Sequence, residues 1–258
     1  MQPMRTENLQ PNEKISDYVH DILVIEYEGL VQPFTLPLFA NGSPTLLFNS
    51  TKGKLGKNSG SHLTLFGQTV QPEDLHISES FTLIAYFFKP FALMSLFNIA
   101  APELTDQPID LKLISPLQTG LLEEQLLNAK SIKERICFLD DYIIGLINRM
   151  NVENMALRYA TSVIANHHEK EVLVKLQKEL RITERSFQRM FEKNIGLSPN
   201  LFRRVCQFNA AFIQLNQRKF VKLSDIAFDH GYADQSHYIR AFKEFTRLSP
   251  SDYLNYGS

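Results

Sequence analysis

Ser186 to Phe202 reads SFQRMFEKNIGLSPNLF, and 51 positions further on His237 to Tyr253 reads HYIRAFKEFTRLSPSDY. The two stretches align without a gap. Arg189 matches Arg240, Phe191 matches Phe242, and Leu197-Ser198-Pro199 matches Leu248-Ser249-Pro250. Phe187 and Phe202 are exchanged for Tyr238 and Tyr253, aromatic for aromatic. A chain that writes one helix and its exit twice is committed to the same local shape twice. Each Ser-Pro pair starts the next helix, with serine as N-cap and proline at the first helical position, where its missing N–H has no partner to lose.

The surrounding punctuation predicts an all-helical segment from Ala156 onward. Helices are expected over 156–168 and 171–180, then a turn at Arg181-Ile182. Thr183 caps a helix over 183–194, and Gly196 is a natural stop. Ser198-Pro199 opens a long helix to about Gln217, and Ser224 opens a short one ending at His230-Gly231. Asp234 caps a helix over 234–246, and Ser249-Pro250 starts the last.

Each copy is thus a short helix, a tight turn and a second helix, the helix-turn-helix arrangement whose second helix enters a DNA major groove. In the second copy Ala227 is small where two helices cross, and Gly231 can take the positive φ of a sharp turn. Tyr238, Ala241, Phe242 and Phe245 fall at helical spacing and face inward. Gln235, Ser236, Arg240 and Lys243 face outward, with His237 between the faces. Arginine holds guanine O6 and N7 with two hydrogen bonds, and glutamine does the same for adenine N6 and N7. The first copy offers Arg185, Gln188 and Arg189 in the corresponding places. A connecting helix of about 20 residues spans about 30 Å, close to the roughly 34 Å of one DNA turn. Two readers on such a helix reach successive major grooves.

The charge agrees with this division. Residues 1–150 carry 11 Lys+Arg against 17 Asp+Glu, and residues 151–258 carry 16 against 11. The basic half suits nucleic acid and the acidic half does not. No apolar run is long enough to span a membrane, and MQPMRTENLQPNEK at the N-terminus has no apolar core of a secretory signal. Cys137 and Cys206 lie far apart, without disulfide or zinc spacing, as expected for a reducing cytoplasm.

The first half reads differently. DILVIEY, PTLLFNS, HLTLFGQTV and FTLIAYFFK are short, β-branched and aromatic, separated by turn-forming residues. In TLIAYFFK both alternating faces are apolar, so this strand must be covered on both sides. Phe34, Phe39, Phe48, Phe66, Phe81, Tyr86, Phe87 and Phe88 either fill a small β core or line a pocket. KPFALMSLFNI is helical in pattern, and APELTDQPIDL is a connection. Leu117, Leu121, Leu122, Leu126 and Leu127 form one helical stripe. Ile132, Ile136, Leu139, Ile143, Ile144, Leu146 and Ile147 form a second, with Ser131 as N-cap and Glu134 at the capping-box position. These stripes pack either on each other or across a homodimer. The apolar pattern lapses near MNVENMA, which places the domain boundary there.

Leu223–Leu254, LSDIAFDHGYADQSHYIRAFKEFTRLSPSDYL, resembles the signature of the AraC/XylS family of bacterial transcription regulators, and ITERSFQRMFEKNIGLSPNLF resembles its first reader. The resemblance covers about residues 156–256. It implies a seven-helix DNA-binding domain with two helix-turn-helix motifs. The base-reading candidates it implies are Arg185, Gln188 and Arg189 in the first reader and Gln235, Ser236, His237 and Arg240 in the second, with Lys243 as a phosphate contact. PLFANGSPTLLFN and PELTDQPIDL are similar to a subgroup with a β-rich N-terminal domain of unknown role. Sugar-sensing relatives use a cupin-like barrel and a helical pair for effector binding and dimerisation. No effector-reading residue carries over.

Three positions depart from the family. Gln177 stands where the second copy has Ala227, Arg181 where it has Gly231, and Gln207 where the family usually has arginine. Weaker docking of the first reader is expected, and one structural ion pair is in doubt.

The expected fold is therefore α+β. Residues 1–150 form a β-rich, cupin-like domain with a helical hairpin, a sensor or assembly domain. Residues 155–256 form an all-α, seven-helix, double helix-turn-helix domain. The expected function is a cytoplasmic, sequence-specific DNA-binding transcription regulator. Its partners are promoter DNA, either a small-molecule effector or a second copy at the N-terminal domain, and RNA polymerase if it activates. No cofactor, metal or membrane is expected. The rivals are an enzyme and an interaction protein with a degenerate DNA-binding domain. For the enzyme, His20, His62, His76 and the adjacent His167-His168 lack ligand spacing, and no phosphate loop or nucleophile elbow appears. For the interaction protein, Arg189 and Arg240 are retained at matched places.

Overall fold

Alternating apolar runs build the N-terminal half as strands, and 3.6-residue periodicity builds everything after it as helices. The computed structural model describes residues 4–29, 32–150 and 154–256. Among these residues there are ten strands: β1 (Arg5–Leu9), β2 (Val19–Tyr27), β3 (Phe34–Leu38), β4 (Thr45–Asn49), β5 (Lys54–Leu55), β6 (Asn58–Ser59), β7 (Leu63–Phe66), β8 (Glu73–Ile77), β9 (Phe81–Phe88) and, after a first helix, β10 (Ile109–Asp110). They form two antiparallel sheets, ordered β1-β2-β9-β4-β7-β10 and β3-β8-β5-β6. β9 pairs with β2 and β4 in the centre of the larger sheet, Val24 opposite Ile84 and Leu46 opposite Tyr86.

The central strand is covered on both faces, as its sequence requires. Leu83 and Ala85 face the smaller sheet in a cluster with Ile25, Leu47, Phe66, Leu75, Ile77 and Phe81. Ile84, Tyr86 and Phe88 face the other way, into a cluster with helices α1 (Ala92–Phe97), α2 (Pro116–Asn128) and α3 (Ile132–Asn148). The Tyr86 hydroxyl donates to Asp140 of α3 at 2.8 Å. Asp140 also accepts from the amide of Asn12 at 2.5 Å. Most of the aromatic load fills this double core. Phe39 does not: its ring packs on Phe212 and Tyr253 in the C-terminal half, centroids 5.6 and 6.1 Å apart.

The helical hairpin is present, with Ser131 Oγ accepting from the Glu134 N–H. Its leucines do not form one buried stripe, because Leu122 and Leu126 turn inward while Leu117 (86% exposed) and Leu121 (65%) turn to solvent. APELTDQPIDL is more than a connection, since it contains a 3-10 turn, Ala101–Leu104, and the edge strand β10. The boundary expected within MNVENMA falls largely on residues 151–153, outside the described residues.

Seven helices follow: α4 (Met155–Asn166), α5 (Glu171–Glu179), α6 (Glu184–Ile195), α7 (Pro199–Asn216), α8 (Leu223–Asp229), α9 (Gln235–Thr246) and α10 (Pro250–Tyr256). Their starts and stops follow the caps. Thr183 Oγ1 accepts from Ser186 N–H at 3.2 Å, Ser198 Oγ from Leu201 N–H at 3.2 Å, and Asp234 Oδ1 from His237 N–H at 2.7 Å. One start differs. Ser224 lies inside α8, and Lys222 is the N-cap, its backbone N–H donating to the Asp225 carboxylate at 2.8 Å. Aspartate three positions into the helix out-competes the serine hydroxyl there, because a charged acceptor makes the stronger bond to a helix-start amide.

Candidate nucleic-acid interface

The interface is assembled from the two turns outward. In α8 and its turn, Tyr232 N–H donates to Ala227 O at 2.9 Å while Gly231 takes φ +69°. In α5 and its turn, Ile182 N–H donates to Gln177 O at 3.1 Å while Arg181 takes φ +53°. The bonds pair Gln177 with Ala227 and Arg181 with Gly231. One extra residue in the second turn precedes the cap. Arg181 thus keeps the turn shape without glycine. Gln177 is only half-buried where Ala227 is buried, so the first crossing is more open.

The two recognition helices bury matched residues. Phe187, Phe191 and Ile195 of α6 are buried, as are Tyr238, Ala241, Phe242 and Phe245 of α9. Turned away from these are Arg185, Gln188 and Arg189 on α6, and Gln235, Ser236, Arg240 and Lys243 on α9, all exposed. Gln188 Nε2 donates to Glu192 Oε1 at 2.9 Å. His237 is half-buried: its ring stands edge-on to Tyr232, centroids 5.3 Å apart, and Nδ1 accepts from Ala233 N–H at 3.4 Å. It closes the second turn as well as bordering the outer face. Lys193, one helical turn beyond Arg189, joins Arg189 and Ser186 around a surface concavity of about 490 Å³. Its i, i+4 spacing from Arg189 was the available signal.

α7 holds the readers apart and contributes to both. Phe202 packs on Phe191 at 5.8 Å, and Phe208 packs on Phe242 and Phe245 at 5.6 and 5.0 Å. Its 18 residues span about 27 Å. Arg204 of α7 pairs with Glu244 of α9. Gln207 is buried and bonded on both sides of its amide: Nε2 donates to His230 O at 2.8 Å, and Oε1 accepts from the Arg203 guanidinium at 3.3 Å. Arg203 in turn donates to His168 O. Burial pushes the His168 and His230 imidazoles below their ordinary range, and their rings lie 6.4 Å apart.

A second feature lies between the halves. A cavity of about 530 Å³ is lined by His20, Lys89 and Arg158, by Phe91 and Phe202, and by several small polar side chains. None of its lining residues is acidic. Burial, with Arg158 beside it, lowers the Lys89 pKa, and burial lowers that of His20. Cys206 also lines it, its thiol pushed up to about 12 by burial, which leaves it protonated and unreactive. Among the described residues no group of three His, Cys, Asp or Glu side chains could hold a metal, and no helix is long and apolar enough to cross a membrane.

Comparison with known proteins follows the same division. A helix-turn-helix domain family matches residues 176–256, and a domain of unknown function (DUF6597) matches residues 7–110. An uncharacterized HTH-type transcriptional regulator of Haemophilus influenzae is 35% identical over 68 residues, 26% of this chain and 22% of that protein. This chain thus matches about a fifth of that relative's length. Solved structures of ToxT from Vibrio cholerae share the fold along nearly the whole chain. An apo variant has TM-score 0.51 at 18% identity, covering 91% of this chain and 97% of that one. A second crystal form has TM-score 0.53 at 15% identity with the same coverage. ToxT bound to an unsaturated fatty acid has TM-score 0.51 at 14% identity, covering 90% and 94%.

Proposed function

We propose that this chain, whose C-terminal domain is an AraC-type helix-turn-helix domain, is a sequence-specific transcription regulator that reads two successive major grooves with α6 and α9. The observation that carries this reading is the pair of exposed Arg/Gln faces, Arg185-Gln188-Arg189 and Gln235-Arg240, held on one shared helix in the basic part of the chain. Arg189 and Arg240 are the principal base readers, and Lys243 is a phosphate contact. The division of labour falls between residues 1–150 and 155–256, and the protein works in the cytoplasm. The test is selection of duplexes from a random-sequence library by the full chain. The selected duplexes should share two short elements about one DNA turn apart, and affinity should fall steeply with salt as counterions are released. Selection that yields no shared sequence would overturn the reading.

The N-terminal half controls this activity. ToxT, which shares the fold, has been solved with an unsaturated fatty acid. Here the cavity between the halves presents Lys89, Arg158 paired with Asp17, and a His20 whose burial favours the neutral ring, with no acidic lining residue and two phenylalanine walls, which suits an anionic effector with an apolar tail. A fatty-acid panel added to the DNA-binding assay tests this, with a change in affinity that Lys89→Met removes as the expected result. The exposed Leu117-Leu121 face of α2 fits a homodimer, which sedimentation of the full chain at tens of micromolar checks.

A further inference from the structure

The N-terminal half packs closely on the first reader, whereas it meets the second only at its edge, where Arg247 at the exit of α9 borders a concavity lined by Glu73, Asp74 and His76. α6 packs against α1 and the Ala101–Leu104 turn, whereas α9 packs against α7, α8 and α10. The grip is specific at the end of α6. Thr105 Oγ1 lies 3.2 Å from Gly196 O and 3.3 Å from Ala101 O, so its one proton is shared between α6 and its own turn. A Cβ on Gly196 would collide with Thr105 Oγ1 and lie 2.9 Å from Ala101 O. Gly196 and Arg247 occupy the same place at the two helix exits, and both are left-handed, at φ +86° and +65°. The second exit tolerates a long side chain. The first needs glycine because the Ala101–Leu104 turn sits against it.

This turn stands beside the outward face of α6, across a concavity from Arg189. A helix with its side chains is 10–12 Å across and the major groove about 12 Å wide, so a reading helix fills the groove and phosphate strands run along both flanks. On α6 the flank next to Arg189 carries Ser186, Met190 and Lys193. Pro102 forms the opposite wall of the concavity these residues line. The adjacent Glu103 is exposed and acidic, and repels a phosphate strand. We propose that the Ala101–Leu104 turn is an autoinhibitory catch on the first reader: α9 engages DNA as the molecule stands, and α6 enters its groove only after the catch leaves Gly196. The inference rests on the DNA-reading function above and adds its regulation.

The experiment uses the full chain and the duplexes it selects. Gly196→Asn retains a left-handed helix exit and pushes the turn away. Thr105→Val removes the hydroxyl from the opposite side of the contact. Gly29→Asn is the control, also at positive φ but outside both readers and with no atom within 4 Å of an added Cβ. Gly196→Asn should tighten binding about tenfold, within the usual range for coupling between two sites. Thr105→Val should give a smaller gain in the same direction, and Gly29→Asn none. Adding Arg189→Ala should abolish the gain. Unchanged or weaker binding by variants that melt like the wild type overturns the catch, as does a gain that survives Arg189→Ala. If Gly196→Asn does not fold, Thr105→Val decides alone. A wild-type chain that binds no duplex in a salt-dependent way overturns the DNA-reading function and the catch with it. A wild type that binds without gain in either variant overturns the catch only.

Discussion

Arg181 and Gly231 hold the same place in the two turns, and Gly196 and Arg247 the same place at the two helix exits. All four residues are left-handed, yet each reader uses glycine at the site where the other uses arginine. Gly231 has open space around it, and Gly196 is walled in by Thr105 and Ala101. A positive φ therefore explains only part of where glycine stands. In the second reader glycine relieves the backbone, a matter of about 1 kcal/mol. In the first it makes room for a neighbouring domain. Two copies of one motif have diverged to suit what touches them, while their internal bonds stayed the same.

The sharpest test of that internal equivalence is the matched core pair. Phe191→Ala and Phe242→Ala should each cost roughly 3–5 kcal/mol in denaturant unfolding, since both rings are fully buried. Phe242 should cost more, because it meets Phe208, Phe212, Tyr238 and Tyr253. Reversed costs would show that the first core is the tighter one. Next in size is base reading. Arg240→Ala and Arg189→Ala should each lose roughly 1–3 kcal/mol and relax preference at one base position. The half-buried Gln177 leaves the first crossing looser, so the Arg189 loss should be the smaller. A uniform loss across sequences from either variant would make that arginine a phosphate contact.

The backbone difference gives a smaller effect. Gly231→Ala should destabilise by about 1 kcal/mol, and Arg181→Gly should change stability by less than that, because relief of the left-handed side chain is offset by a freer unfolded chain. A large loss from Arg181→Gly would reveal a side-chain role for the arginine. Lys243→Ala should weaken all sequences alike and reduce the salt slope by about 1.

The smallest expected effect is on pH dependence. His168 and His230 have folded pKa values below the ordinary histidine value because of burial, and His168 adds to the lowering at His230. The unfolded chain therefore binds more protons, so their contribution is intact above about pH 6.5 and is lost as pH falls below it. Melting temperature should drop between pH 6.5 and 5, and His230→Gln should flatten the drop. His20 shifts the same way and, with His168, leaves a residual slope.

How much of this was readable depended on how local each cause was. Helix limits in the C-terminal domain came out within one or two residues, because Thr183, Ser198 and Asp234 act on amides three positions away. The outward faces were legible too, since helical spacing alone separates exposed Arg189 and Arg240 from buried Phe191 and Phe242. β1 was not: RTENL is almost wholly exposed and owes its strand to its partner β2. The outward turn of Leu117 and Leu121 was hidden because hydrophobicity does not say which side of a stripe finds cover. The grip on α6 was invisible for a different reason. Gly196 reads as an ordinary helix stop, and its second role depends on Thr105, distant in sequence and adjacent in space.

α7 gives the repeat a property that tandem repeats in general lack. In a solenoid each unit adds its own stability and a nearest-neighbour term, so units can be gained or lost one at a time. Here one helix supplies Phe202 to the first core and Phe208 and Phe212 to the second. Deleting the first copy leaves Phe202 bare along the helix that remains, and deleting the second leaves Phe208 and Phe212 bare. The two readers are therefore one cooperative folding unit. Amides of α6 and α9 should exchange with solvent through the same global opening rather than through separate local ones, and neither copy can be traded away as a module.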